Sequence, residues 1–450
     1  MDASVTGERA PQGHELVERL DALPLTRRHL AVAGLCAFAL GFDLMEIAFG
    51  SALAAVFSAP PAPAAASELS WLLSSVYVGA IVGAPTMGWL ADRRGRRQVL
   101  ALLLVLLAMT SALAAVSPGI RELSVARMLS GVALGAFPPL MVVYLTDLLP
   151  AGRRAPVIFG VSALGFLGAP AGIFLIRALT PAPPLGVDGW RWAFGVGAAG
   201  ALLLALAFVR WVPESPRWLL GRGREEPACA VLAALERSPQ VLPGAAVAPP
   251  GPPATARAGA ALAGPVGFAL LAALQFLAAW STVAFPLLGG ALFIAKGYAL
   301  SDTLLAVGVA TFGPVAGNLL AAGLVDRVER RTALAALAAA MLGLGWLFVQ
   351  GSSLPTLLFS STALALLSSI YVPLLNVYGA ESSVGRHRGG AVSAAWGVNR
   401  LGAALAPLVL LPLLRGSGPL AMYAVVAATL GLTLALLAVA PRGHARRPVA

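Results

Sequence analysis

Four ionisable side chains sit inside apolar runs long enough to cross a bilayer, where each costs at least ~2.5 kcal/mol and calls for a purpose. Asp43 stands thirteen residues past Leu30, ~20 Å along a helix, too deep for its short side chain to reach water. A dry medium penalises the charged carboxylate, the setting of a group that takes up and releases a proton. Glu46 follows three residues on and shares that helical face, so the two carboxyls can share one proton, or one can pair with an arginine; both are candidates for proton coupling. Arg400 stands eleven residues past Gly389, ~16 Å into its run and beyond easy snorkelling. A buried guanidinium favours a carboxylate or other oxyanion held by two parallel hydrogen bonds, with pairing to an acid of another helix as the alternative. Trp396, one turn earlier, offers an aromatic wall and Asn399 an amide beside it. Arg127 is only five residues past Glu122, so it either faces a cavity or snorkels to the surface. Gln275, Asn376 and Tyr144 complete the candidate substrate-binding set, with interhelical hydrogen bonding as the alternative. Asn318, Tyr371 and Tyr378 are lesser polar residues of the same kind.

The elements that must position these groups are transmembrane helices. Of the 450 residues 58% are apolar and 11% charged, a composition that no water-facing surface accommodates. A span needs ~20 residues of low polarity, and twelve such runs occur. They cover roughly 30–57, 70–91, 98–116, 122–148, 155–179 and 190–211, then 265–293, 302–325, 332–350, 354–379, 389–414 and 419–439. The fold class expected is an all-α membrane protein of twelve transmembrane helices in two pseudo-symmetric six-helix halves. Its divisions are an N-terminal segment 1–29, a first bundle 30–211, a linker 212–264, a second bundle 265–440 and a tail 441–450. Residues 1–26 lack a signal peptide's apolar region and cleavage site, so the first span reads as retained. Proline, glycine and alanine dominate 213–264, the mark of a flexible linker. Within it Glu225, Glu226 and Pro227 open one short helical pattern continued by Val231, Leu232 and Leu235.

Charge sets orientation. Net charge is +11, yet nearly all the basic residues lie in short loops between apolar runs. Twenty-three fall on one side of the predicted topology and five (Arg121, Arg177, Arg191, Lys296 and Arg415) on the other, which places both termini and the linker in the cytoplasm. Thirty arginines against one lysine fit a GC-rich bacterial genome, so the expected location is a bacterial cytoplasmic (inner) membrane. His29 and His387 fall at span ends and read as surface residues. Cys36 and Cys229 lie in different environments, which implies no disulfide. No phosphate-binding GxxxxGK[ST] loop and no His/Cys cluster is present, so neither nucleotide, metal nor cofactor is expected.

A duplication underlies the halves. Gly88-Trp89-Leu90-Ala91-Asp92-Arg93-Arg94-Gly95-Arg96-Arg97 returns as Ala322-Gly323-Leu324-Val325-Asp326-Arg327-Val328-Glu329-Arg330-Arg331, at an offset of 326 − 92 = 234. The same offset pairs Gly83 with Gly317, Pro139 with Pro373, Tyr144 with Tyr378, Asp147 with Glu381 and Arg154 with Arg388. Acids and arginines repeated at helix ends can bridge the halves when that side is closed and must separate when it opens, and a partly buried ion pair left without its partner costs several kcal/mol. The cytoplasmic gate candidates are Asp92, Arg93, Arg96, Arg97, Asp147, Arg154 and Glu214 in the first half, with Asp326, Arg330, Arg331, Glu381 and Arg388 in the second. The alternative is that the arginines only fix orientation.

Two six-span halves, a central linker and the Gly88-xxx-Asp92-Arg93-x-Gly95-Arg96-Arg97 loop resemble the major facilitator superfamily over essentially the whole chain. The second copy departs, with Ala322 and Glu329 where the motif has glycine. Arg127-xxx-Gly131-xxx-Gly135, Tyr144-Leu145-Thr146-Asp147 and Pro213-Glu214-Ser215-Pro216-Arg217 look like the sugar porter and organic-ion branches. Gly41-Phe42-Asp43 and Arg400 followed by Gly402 and Pro407 look like the aromatic acid and metabolite proton symporters, although Leu40 stands where that group carries an earlier acid.

The resemblance implies a secondary active transporter, not an enzyme, working by alternating access. The leading expectation is proton-coupled symport of a small organic anion, aromatic or another carboxylate. A sugar porter is the alternative, sharing Gly41-Phe42-Asp43 but keeping only Gln275 of that branch's paired span-7 glutamines. A drug or metabolite efflux antiporter is next, on Gly165-Phe166-Leu167-Gly168-Ala169-Pro170. A membrane sensor would need an added signalling domain. The partners expected are a small-molecule substrate, a proton and the lipid bilayer, with no nucleic acid and a monomer as the functional unit.

Overall fold

The structure, a computed structural model, describes residues 13–181, 183–242, 265–324, 328–382 and 388–441. Among them are twelve helices long and apolar enough to cross a membrane. Spans 1 to 6 are Arg27–Val56, Ala66–Arg94, Arg96–Val116, Ile120–Leu148, Ala151–Leu179 and Gly189–Trp211. Spans 7 to 12 are Val266–Ala295, Leu300–Ala321, Arg330–Gln350, Leu354–Gly379, Ala394–Ser417 and Pro419–Val439.

Three spans are interrupted, and one cause serves for all. Span 5 divides into Arg154–Gly165 and Gly168–Leu179, span 7 into Pro265–Thr282 and Ala284–Ala295, and span 8 into Leu300–Ala310 and Gly313–Leu324. Pro170, Pro286 and Pro314 each stand just past the break. A proline ring clashes with the carbonyl four residues earlier, here that of Phe166, Thr282 or Ala310, at or beside the point where the first segment ends.

The duplication is visible in the packing. A Cβ on Gly79 would lie 1.9 Å from the Met128 carbonyl oxygen, and one on Gly313 would lie 2.5 Å from that of Thr362. Likewise Gly83 would meet the carbonyl oxygen of Val132 at 2.2 Å and Gly317 that of Leu366 at 2.7 Å. Both partner pairs keep the offset of 234, since 362 − 128 and 366 − 132 equal it. Spans 2 and 4, like spans 8 and 10, therefore approach backbone to backbone at glycine. Gly83→Ala is expected to lower the stability of the purified protein by ~1–3 kcal/mol or more through overpacking. Thermal unfolding in detergent measures it, and an unchanged midpoint would show that spans 2 and 4 separate freely.

Two apolar cores are present among the described residues. The larger runs the length of the second half, to Leu334 and Leu437 near the arginine-rich loops, and takes in first-half residues on the opposite side, where Phe49, Leu53 and Leu73 pack in one cluster with Leu287, Leu292 and Leu304. The smaller contains first-half, N-terminal and linker residues, among them Leu20, Leu104, Leu145 and Leu235. The apolar packing that joins the halves is thus concentrated away from the arginine-rich loops.

The start of the linker differs from a flexible connection. Helices Pro216–Gly221 and Glu225–Glu236 are followed by a strand, Gln240–Leu242, that pairs antiparallel with Leu25–Thr26 before span 1. An amphipathic helix, Gly13–Ala22, buries Leu16 and Leu20 against the same core, and its Arg19 donates to Glu236 at 2.8 Å. The remainder of the linker, 243–264, lies outside the described residues. Thr26 and His29 cap span 1 reciprocally: the Thr26 hydroxyl accepts from the His29 amide, and His29 Nδ1 accepts from the Thr26 amide. That turn brings His29 inside, fully buried rather than on the surface. His387 lies outside the described residues.

Candidate substrate and proton site

Span 1 carries Asp43 and Glu46 one turn apart, and the structure gives them different fates. Glu46 accepts from Arg127 at 3.1 Å, and the same guanidinium nitrogen donates to the Glu46 carbonyl at 2.9 Å. All of this is buried, with the guanidinium 5.7 Å over the Phe194 ring. Arg127 therefore does not snorkel; its counter-ion on span 1 holds it inside, where it lines a small cleft with Gly50, Tyr77 and Leu287. Asp43 is 1% exposed, and among the described residues none donates a hydrogen bond to either of its oxygens. The charges acting on it are Glu46 and, from span 11, Arg400.

Arg400 opens onto a cavity of about 370 Å3 formed mainly by spans 7, 8, 10 and 11, with Phe166 of span 5 reaching in from the first half. Its volume falls within the ~300–1,000 Å3 of small-molecule sites. The guanidinium stacks on Trp396 with 4.4 Å to the ring centroid, and it makes no hydrogen bond or ion pair with another described residue. Asn399 lines the same cavity while its amide nitrogen donates to the Gln275 carbonyl at 2.8 Å. Gln275 in turn donates to Asn376 Oδ1 at 2.8 Å. So Gln275 and Asn376 are not among the residues lining this cavity; Gln275 holds Asn399 through its main-chain carbonyl and Asn376 through its side chain.

Tyr144 stands apart from the cavity. Its hydroxyl donates to the Pro213 carbonyl at 2.8 Å, as its repeat mate Tyr378 donates to Pro441 at 2.8 Å. Both tyrosines tie span ends to the segments that follow the sixth and twelfth spans. The sequence reading also passed over the hydroxyl groups of the cavity, and Tyr77 of span 2, which acts electrostatically with both Arg127 and Arg400. The signal for Tyr77 was a lone phenol within an apolar span.

The arginine-rich face is built from pairs within one half. Arg96 pairs with Asp147, the Arg97 amide donates to Glu214 at 3.0 Å, and Arg154 joins Arg217 on Asp21. Asp92 contributes through its carbonyl, which accepts from Trp218 at 2.8 Å and Arg222 at 2.5 Å, while Arg93 lies 4.0 Å over Trp89. Gly95, at φ +110°, turns the chain between spans 2 and 3, and a Cβ there would sit 2.3 Å from the Glu214 carboxylate, which accounts for the glycine. In the second half Arg330 donates to Val328 at 3.2 Å and Arg331 to Ala440 at 2.9 Å. Asp326 lies outside the described residues, as do the side chains of Glu381 and Arg388.

Two polar ties cross the halves on the opposite face. Arg415, at the end of span 11, donates to Ala64, to Phe57 at 3.4 Å and to the Ser58 hydroxyl at 3.0 Å, all between spans 1 and 2. Arg177 donates to the Ser301 carbonyl at 3.1 Å. Residue types alone assign both arginines to topology, because all but one of their partners, the Ser58 hydroxyl, are backbone carbonyls. Arg415→Ala is expected to favour opening of this face. A cysteine at the buried Ala55, which adjoins Gly290 of span 7, is then labelled several-fold faster by a membrane-impermeant thiol reagent; an equal rate would remove Arg415 from the closure.

Twelve spans in two six-helix halves, with a cavity at mid-span, define a multi-pass transporter rather than an enzyme. The chain belongs to the sugar (and other) transporter family, whose model matches residues 30–439, within the major facilitator superfamily. It is 34% identical over 174 residues to a D-xylose transporter of Levilactobacillus brevis and 32% identical over 164 residues to an arabinose-proton symporter of Bacillus subtilis (strain 168). These alignments cover 39% and 36% of this chain and 37% and 35% of the relatives, so the chain matches little over a third of their length. A putative metabolite transport protein of B. subtilis, YyaJ, is 28% identical over 71% of each chain. Among solved structures, the partially occluded inward open conformation of the xylose transporter XylE from E. coli superposes with a TM-score of 0.70 at 19% identity, covering 92% of this chain and 98% of that one.

Proposed function

We propose that this chain carries out proton-coupled transport of a sugar or sugar-derived solute across a bacterial cytoplasmic membrane, by alternating access between its two halves. The observation that carries the reading is the 370 Å3 cavity, where five hydroxyl and two amide side chains and one guanidinium are set into a mainly apolar wall. Transporters of xylose and arabinose among its relatives support the same solute class. In this reading Asp43 holds the coupling proton and Arg400, Trp396 and Asn399 contact the cargo. The arginine-rich face is cytoplasmic, and its charged groups, paired here within one half, exchange partners across the halves when that side closes. An organic anion is the second reading, favoured by one observation: no described residue is a counter-ion in contact with Arg400.

The test is uptake of labelled pentoses and hexoses, beside a panel of carboxylates, into proteoliposomes under an imposed pH gradient. A protonophore should collapse accumulation. Accumulation untouched by the protonophore would sink proton coupling, and uptake confined to unsubstituted carboxylates would sink the sugar reading.

A further inference from the structure

The hydroxyl groups of the cavity point to a narrower cargo. Thr282, Thr311, Ser361, Ser368 and Ser369 all line it, and a hydroxyl has one proton to give. Each donates that proton to a carbonyl three or four residues back on its own helix: Thr282 to Ala278 at 2.8 Å, Thr311 to Gly308 at 2.6 Å, Ser361 to Leu358 at 3.2 Å, Ser368 to Leu364 at 2.8 Å and Ser369 to Leu366 at 2.8 Å. Asn318 does the same with an amide hydrogen, to Pro314 at 2.9 Å. What the five hydroxyls present to the cavity is therefore oxygen lone pairs, while Asn318 keeps a second amide hydrogen. The charged donors lie on span 11, in the five N–H groups of Arg400, with the Trp396 ring as a flat wall.

A molecule matched to the polar groups of this space brings hydrogen-bond donors to spans 7, 8 and 10 and an anionic acceptor to span 11, and lays its C–H faces on the phenylalanine, valine and proline side chains that form most of the wall. We infer that the cargo is a polyhydroxylated carboxylate, a sugar acid, with its carboxylate forked on Arg400 and its hydroxyls donating to the threonine and serine oxygens. A neutral sugar satisfies the acceptors and leaves the guanidinium without a counter-charge once water is displaced. A plain or aromatic carboxylate does the reverse, leaving a row of oxygens without donors, and an unmade bond in a desolvated site is costly. A cationic cargo would meet Arg400. The inference rests on the porter reading above and names the substrate class of that same cavity.

The experiment uses the full-length protein, purified for thermal shift and reconstituted for uptake. The panel is aldonates and uronates of five and six carbons, the matching neutral sugars, and pentanoate and hexanoate at equal ionic strength. At least one sugar acid should raise the unfolding temperature and be taken up, well ahead of its neutral sugar and of its unhydroxylated counterpart. Arg400→Gln should weaken that acid by roughly 10-fold to 100-fold, the span of a charge-assisted hydrogen-bond loss. Ser368→Ala with Thr311→Val should weaken it while leaving the unfolding temperature without ligand unchanged, because the bonds removed are those to the helix's own backbone. A neutral sugar that binds and is transported as well as every acid, with no change in Arg400→Gln, overturns the inference and leaves the porter reading standing. Alkanoates equal to sugar acids overturn it as well. No proton-driven uptake of any panel member sinks both.

Discussion

Asp43→Asn is expected to leave a protein that exchanges its cargo and no longer concentrates it. With one pH unit across the membrane and no electrical potential, each coupled proton contributes ~1.4 kcal/mol, or about tenfold in solute ratio. In the variant that ratio should fall to simple equilibration, while counterflow of labelled against unlabelled cargo continues. The asparagine side chain matches a protonated carboxyl in size and charge, so it mimics the loaded state and cannot discharge. The groups around Asp43 sharpen the expectation. Glu46, one turn away, is occupied by Arg127 through both its carboxylate and its carbonyl, so it offers no replacement carrier. Arg400, the remaining charge that acts on Asp43, belongs to the other half and lines the cavity. In the proposed cycle a proton on Asp43 leaves Arg400 to the cargo, and its departure restores a competitor. Undiminished accumulation in Asp43→Asn would remove this carboxyl from coupling and shift attention to Glu46, whose own substitution has a different signature.

The depth of a charged residue is legible in a sequence, and its direction is not. Rise per residue fixes how far Arg400 and Asp43 lie from the ends of their spans, and both prove to be interior groups facing one another electrostatically. Trp396 and Asn399 follow from Arg400 by helical spacing alone. Arg127 illustrates the limit: five residues of depth are compatible with snorkelling, and the choice is made by Glu46, 81 positions away. Tyr144 and Gln275 were plausible cavity residues because polar side chains in apolar spans attract that reading. The first bonds a carbonyl near the arginine-rich face and the second an amide behind the cavity wall, partners that only the packed helices disclose. The twelve spans and the 234-residue repeat were open to reading because hydropathy and duplication are local in sequence. The strand pairing of Leu25–Thr26 with Gln240–Leu242 was not, because two or three residues carry no periodicity.

Glu46→Gln should be the most destabilising of the conservative changes in the first half. It leaves the Arg127 guanidinium, 2% exposed, with a carbonyl and an aromatic face but no counter-charge, and removing one member of a buried pair costs ~3–5 kcal/mol. Much of that loss comes from the stranded charge rather than from the bond, which sets up a distinguishing measurement. Arg127→Gln added to Glu46→Gln allows two amides to meet across spans 1 and 4, and should recover most of the lost stability in thermal unfolding. A pair with a purely structural purpose would let the double variant transport normally once folded. A pair that sets the local field at Asp43 would instead give a stable protein whose transport has a displaced pH profile, since Asp43 is one helical turn from Glu46 and feels its charge. A single Glu46→Gln variant as stable as the parent would show that Arg127 finds another partner, and the division of labour between the two carboxyls of span 1 would have to be reversed.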